Sequence, residues 1–76
     1  MNEPNAERLV AIELLGRPKG IEVLSIYGSH TNLSRQRIDK AIAHLEQAGI
    51  LQRADQGRVK ASEAFVLLQD LGLVAI

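Results

Sequence analysis

The sequence contains no cysteine and no tryptophan, and it has one tyrosine and one phenylalanine. The absence of cysteine excludes disulfide bonds, zinc-thiolate sites and cysteine nucleophiles. Tyr27 and Phe65 both lie in apolar segments and are expected in the core, so the chain lacks the exposed aromatic platforms on which proteins stack single-stranded nucleic acids. Two histidines are too few for a metal site, and His30 is expected in a turn.

Long apolar segments are also absent. No run approaches the roughly 18 residues that cross a bilayer, and the polar, acidic N-terminal residues do not resemble a signal peptide. A length of 76 residues and an apolar share of 46% are typical of one small globular unit. We therefore expect a single soluble, cytoplasmic domain over residues 1–76, with a core too small to enclose a deep pocket.

Positive charge is concentrated in the middle of a chain whose net charge is zero. Residues 29–60 contain six Lys or Arg and three Asp or Glu residues, a net charge of +3. The segments on either side carry net charges of −1 and −2. This distribution predicts that a charged partner of the middle segment is anionic.

Glycine and proline divide the chain into five segments. Asn5 is a suitable N-cap for a first helix that runs to about Leu15 and ends before Gly16 and Pro18. Residues 20–28 predict a short second helix, preceded by a residue or two of strand. The polar residues 28–32 then predict a turn.

The best-marked element is a third helix over residues 34–48. Ser34 is a strong N-cap, and Leu33 and Ile38 have the spacing of a hydrophobic staple around it. Apolar residues at i, i+3, i+4 and i+7 form one face, made of Ile38, Ala41, Ile42 and Leu45.

Two glycines predict the turns that follow. Gly49 is expected in the left-handed conformation that ends the third helix, with Ile50 folding back onto Leu45. Gly57 lies in a short polar loop between two extended runs and predicts a β-hairpin over residues 50–61.

The last segment predicts a helix that begins after Ser62 and ends near Leu71, before Gly72. Phe65, Leu68 and Leu71 are expected on its core side. An apolar tail follows, made of Leu73, Val74, Ala75 and Ile76.

This order of elements resembles the winged helix-turn-helix family of DNA-binding domains. The segment LSRQRIDKAIAHLEQAGIL, residues 33–51, is similar to the family's recognition helix and the step into the wing, and RVKAS, residues 58–62, is similar to the return strand. The resemblance implies a mostly α fold with a small β-hairpin: a three-helix core, a wing and a C-terminal helix. The link from the second helix to Ser34 is longer than the usual turn of three or four residues, which implies a short or displaced second helix.

The third helix has the side chains that a duplex major groove requires. At about 100° per residue, basic and amide side chains project opposite Ile38, while Asp39 and Glu46 lie on one flank. Arg and Lys pair with guanine, Gln pairs with adenine, and the small Ala43 permits close approach. The basic residues of the hairpin are expected to reach the neighbouring backbone or minor groove. The residues expected to bind DNA are Ser34, Arg35, Gln36, Arg37, Lys40, His44, Arg53, Gln56, Arg58 and Lys60.

The terminal helices carry more apolar surface than a monomer of this size requires. Exposed apolar patches mark interfaces, and a two-fold dimer would place two recognition helices about 34 Å apart on one face of DNA. We expect a homodimer through Leu9, Ile12, Val66, Leu67 and Leu73. The alternative is that the apolar tail covers the core of its own chain.

The leading hypothesis is a small transcriptional regulator that binds double-stranded DNA by sequence. One alternative is a winged-helix module that binds protein, because one fold serves several functions. Another is a plasmid or viral replication or partition accessory factor. We expect no enzymatic activity, cofactor or metal, because the sequence contains no recognisable carboxylate pair, nucleophile motif or phosphate-binding glycine loop.

Overall fold

The computed structural model describes residues 5–74, which form four helices and a three-stranded antiparallel sheet. Ala75 and Ile76 of the predicted apolar tail lie outside the described residues. The prediction of a mostly helical chain with a small hairpin is confirmed. The elements, in chain order, are helix α1 (Ala6–Gly16), strand β1 (Ile21–Glu22), helix α2 (Val23–Ser29), helix α3 (Arg35–Gln47), strands β2 (Leu51–Ala54) and β3 (Arg58–Ala61), and helix α4 (Glu63–Asp70).

Side-chain caps begin three of the helices where the sequence predicts them. The Asn5 side chain accepts a hydrogen bond from the backbone N–H of Arg8 at 3.1 Å, and Ser34 Oγ accepts one from Arg37 at 3.2 Å. Ser62 Oγ caps α4 and also donates to the Gly49 carbonyl at 2.5 Å. That second bond fixes the start of α4 against the turn that follows α3.

The end of α3 has the two hydrogen bonds of a Schellman motif. The N–H of Gly49 donates to the Glu46 carbonyl at 3.1 Å, and the N–H of Ile50 donates to the Leu45 carbonyl at 2.9 Å. Gly49 has φ of 79°, as the sequence predicts.

Helix α2 continues further than predicted. Gly28 and Ser29 belong to the helix rather than to the turn, and residues 30–34 link it to α3. The backbone N–H of the C-cap residue His30 donates a hydrogen bond to the Ile26 carbonyl. Helical hydrogen bonding therefore continues past Gly28, although glycine has a weak helix propensity.

The sheet has the order β1-β3-β2, so the predicted hairpin gains a third strand. Ile21 lies opposite Val59 on one side of β3, and Leu51 lies opposite Ala61 on the other. Gly20 approaches β3 closely: at φ of 98°, a Cβ there would lie 3.2 Å from the Val59 carbonyl oxygen. The short β1 is therefore fixed by a partner almost forty residues away.

The apolar face of α3 packs in the centre of the core. Ile38 and Ile42 are almost completely buried, together with Val10 and Leu14 of α1 and Val59 of β3. This arrangement confirms the predicted inner face of α3. Leu33, the residue of the predicted staple, is also buried.

The prediction for the inner side of α4 is wrong at two of three positions. Phe65 is buried, but Leu68 is 41% exposed and Leu71 is 62% exposed. Helical spacing shows which residues share a side, but the extent of burial depends on the surface they meet. Here the first turn of α4 reaches the core and the rest lies beyond it.

The predicted dimer residues divide into two groups. Leu9 is half-buried against the core of its own chain. Ile12, Val66, Leu67 and Leu73 remain exposed. Val74 is partly buried against the core, so the described part of the tail covers some of it.

Replacing Ile42 by alanine is expected to destabilise folding by about 2–4 kcal/mol, because it leaves a cavity in a packed core. Chemical denaturation monitored by circular dichroism measures this change. Gln47→Ala, on the exposed side of the same helix, is the control. Equal stabilities for the two variants would contradict the inward orientation of Ile42.

Gly49→Ala is expected to destabilise folding by about 1–2 kcal/mol, because an L side chain is strained in the left-handed region. No atom would contact the added Cβ, so backbone strain is the only cost. Gly28→Ala is the matched control, since that glycine is helical and its Cβ also meets open space. It should leave stability unchanged or raise it by about 0.4–1 kcal/mol; thermal unfolding of both variants compares them.

Candidate nucleic-acid interface

The solvent side of α3 carries amide and basic groups. Gln36, Lys40 and Gln47 are exposed, and the small Ala43 lies half-buried between them. Among the described residues 5–74, no side-chain hydrogen bond or ion pair holds Gln36, Lys40 or Gln47. Their polar atoms are therefore available to an external ligand.

One flank of this face lies beside the start of α1. His44 Nδ1 is 3.1 Å from Glu7 Oε1, which makes an ion pair when the imidazole is protonated. The hydrogen bond with His44 is the main cause that lowers the pKa of Glu7, and the positive charge of Arg37 contributes to the same effect. A carboxylate thus sits among the predicted cationic residues. The pattern of acidic and basic residues along α3 does not predict this carboxylate, because Glu7 belongs to α1.

The other flank of α3 contacts α2 through Tyr27. The Tyr27 hydroxyl donates a hydrogen bond to Asp39, and the Arg35 guanidinium lies 5.0 Å from the centre of the tyrosine ring. The bond to Asp39 is the main cause that raises the pKa of Tyr27. Tyr27 is half-buried. The core prediction is therefore only partly correct, since the ring packs against the core and also contacts two polar residues of α3.

Arg53 does not share a surface with the other basic residues of the hairpin. It lies opposite Val59 in the ladder, so its side chain is on the inner face of the sheet. Its Nε donates to both carboxylate oxygens of Glu46, at 3.1 and 3.2 Å. Arg53 is exposed, and the register places it on the face of Val59, opposite the face that carries Arg58 and Lys60.

The remaining hairpin residues lie where alternation predicts. Arg58 is exposed and Lys60 is half-buried, on the face opposite the buried Val59. Gln56 is exposed at the tip of the loop with φ of 63°. Lys60 borders a groove beside α4, so it lies next to a second surface as well as on the sheet.

The second histidine also contacts α1. His30 Nε2 is 3.4 Å from Glu13 Oε1, and His30 follows α2, beside the turn in which it was expected. No group of three or more His, Asp or Glu side chains that could hold a metal ion occurs within residues 5–74.

In the described part of the chain, no helix is both long enough and apolar enough to cross a membrane.

Comparison of the chain with protein-family models, with curated proteins and with solved structures finds no match.

Proposed function

We propose that this chain is a small winged helix-turn-helix protein that binds double-stranded DNA by sequence, in the manner of a transcriptional regulator. Helix α3 would enter the major groove, and the β2–β3 hairpin would act as the wing. The order of three helices, a hairpin and a fourth helix supports this assignment. The pairing of a short strand before α2 with β3 also agrees with a compact winged helix.

The observation that carries the proposal is the solvent face of α3, where Gln36, Lys40 and Gln47 have no described intramolecular partner. Glutamine amides offer a donor and an acceptor to adenine, and lysine donates to guanine. Ala43 leaves the helix backbone close to the groove floor. One face thus combines base-reading groups with the small residue that close approach requires.

Backbone contacts would come from the start of α3 and from the wing. The first turn of a helix presents N–H groups and a partial positive charge to phosphate. Ser34 and Arg35 lie there, and the Arg35 guanidinium lies over the ring of Tyr27. Gln56 and Arg58 at the end of the hairpin are exposed and would contact the neighbouring phosphates.

Intramolecular ion pairs distinguish the candidate DNA-binding residues from one another. Arg53 is bound to Glu46 and His44 to Glu7, so DNA would have to compete with a carboxylate for each of them. We expect these two side chains to contribute less than Lys40 to the free energy of DNA binding. Arg37 lies at the same flank as His44 and remains a proposed contact at the edge of the face.

The same pairs favour a second candidate function, a winged-helix module that binds protein. Glu7 and Glu46 compensate part of the positive charge around α3, and the chain has no net charge. Both features weaken the long-range attraction to a polyanion. DNA binding remains the better-supported proposal, because the glutamine and lysine side chains of the α3 face match base edges in a major groove.

Selection of bound duplexes from a random pool tests binding and sequence preference together. We expect an enriched motif, and we expect affinity for it to fall with salt at a log–log slope of about −5 if six phosphates are contacted. A flat salt response, or no duplex binding at low salt, would contradict DNA binding and favour the protein-partner alternative.

Lys40→Ala and Arg37→Ala are each expected to weaken binding to the selected duplex by about 1–3 kcal/mol without unfolding the domain. Lys19→Ala is the control, because it removes the same charge from an exposed turn between α1 and β1. Fluorescence anisotropy at fixed salt measures the affinities. If Lys40→Ala and Lys19→Ala have equal, small effects, the recognition face is wrongly assigned.

A further inference from the structure

Helix α4 exposes an unusual amount of apolar surface. It buries Phe65 alone, whereas the next apolar side chains remain in contact with solvent. Their exposed fractions are 38% for Val66, 58% for Leu67, 41% for Leu68, 62% for Leu71 and 70% for Leu73. Large exposed apolar patches mark interaction sites, and five exposed apolar side chains lie within residues 66–73.

The inner edge of this surface is a groove of about 360 Å³ between α4 and the sheet. Val66 and Leu67 line one side of it, and Pro18 and Ala61 line the other. Most of the surface that lines the groove is apolar, and the groove is open to solvent.

Three charged side chains line the groove, Lys60, Glu63 and Asp70, and Glu63 lies in the first turn of α4. Lys60 lies on the sheet side and Asp70 on the helix side. Neither forms an ion pair with any residue in the described range 5–74. Asp70 also ends a helix with no basic residue in its last turn, where the helix dipole disfavours a negative charge. A cation from outside the chain would relieve that unfavourable position.

We infer that this groove binds helix α4 of a second copy of the chain, in a two-fold dimer. Leu67 of each copy would enter the groove of the other, and Lys60 of each would face Asp70 of the other. A two-fold interface must be complementary to itself. This surface meets that requirement, because the groove is lined by apolar side chains and by charges of both signs.

The groove contains only some of the residues expected from the sequence to form the dimer surface. Leu9 is largely used by the core of its own chain, and Ile12 and Leu73 do not line the groove. Val66 and Leu67 remain as the apolar contacts. Dimer formation does not require DNA, so it can be tested independently of the proposed function.

Sedimentation equilibrium of the full chain without DNA, from micromolar to millimolar concentration, tests the inference. We expect a reversible dimer. Lys60→Glu and Asp70→Lys should each raise the dimer dissociation constant about 100-fold, because each places like charges face to face twice per dimer. The double variant Lys60→Glu/Asp70→Lys should restore the dimer, since it exchanges the charges of every pair.

The matched pair of apolar variants is Leu67→Glu, in the groove, and Leu24→Glu, at an even more exposed leucine on α2. The first should abolish the dimer and the second should leave it unchanged. Circular dichroism confirms that each variant is folded before sedimentation is interpreted. A monomeric wild-type chain, a dimer that survives Leu67→Glu, or a folded charge-exchanged variant that stays monomeric would each overturn the inference.

Discussion

The packing of α1 against the apolar face of α3 is the constraint on which the other features depend. Val10 and Leu14 meet Ile38 and Ile42 in a core without buried polar side chains among the described residues. Once Ile38 and Ile42 point inwards, helical geometry leaves Gln36, Lys40 and Gln47 in solvent. The same packing brings Glu7 to His44. One apolar contact thus sets both the exposed polar face and the charge at its edge.

The charges around α3 are arranged by neighbouring elements rather than by the helix itself. Glu7 of α1 contacts one flank, Tyr27 of α2 contacts the other, and Arg53 of β2 binds Glu46 near the C-terminal end. These contacts confine the unpaired polar groups to a narrow central strip. In the proposed function, such a strip favours contacts with base edges over a broad attraction to phosphate.

The small size of the chain explains why α4 exposes apolar side chains. A domain of this length buries a smaller fraction of its surface than a larger one, and here α1, α3 and the sheet enclose most of the core. Helix α4 is attached through Phe65 and through the bond from Ser62 to Gly49. Val66, Leu67 and Leu68 remain 38–58% exposed, which is the basis for assigning Val66 and Leu67 to a contact with a second copy.

Local signals in the sequence determine the helix starts, the left-handed turn at Gly49 and the inner face of α3, because capping, glycine φ and helical periodicity each involve residues within one or two turns of one another. Tertiary structure alone decides the pairing of β1 with β3, the orientation of Arg53, the exposure of Leu68 and the contact between Glu7 and His44. Each of these depends on which distant segment lies alongside. The spacing of residues within one segment does not show which distant segment packs against it, because that depends on the packing of the whole core.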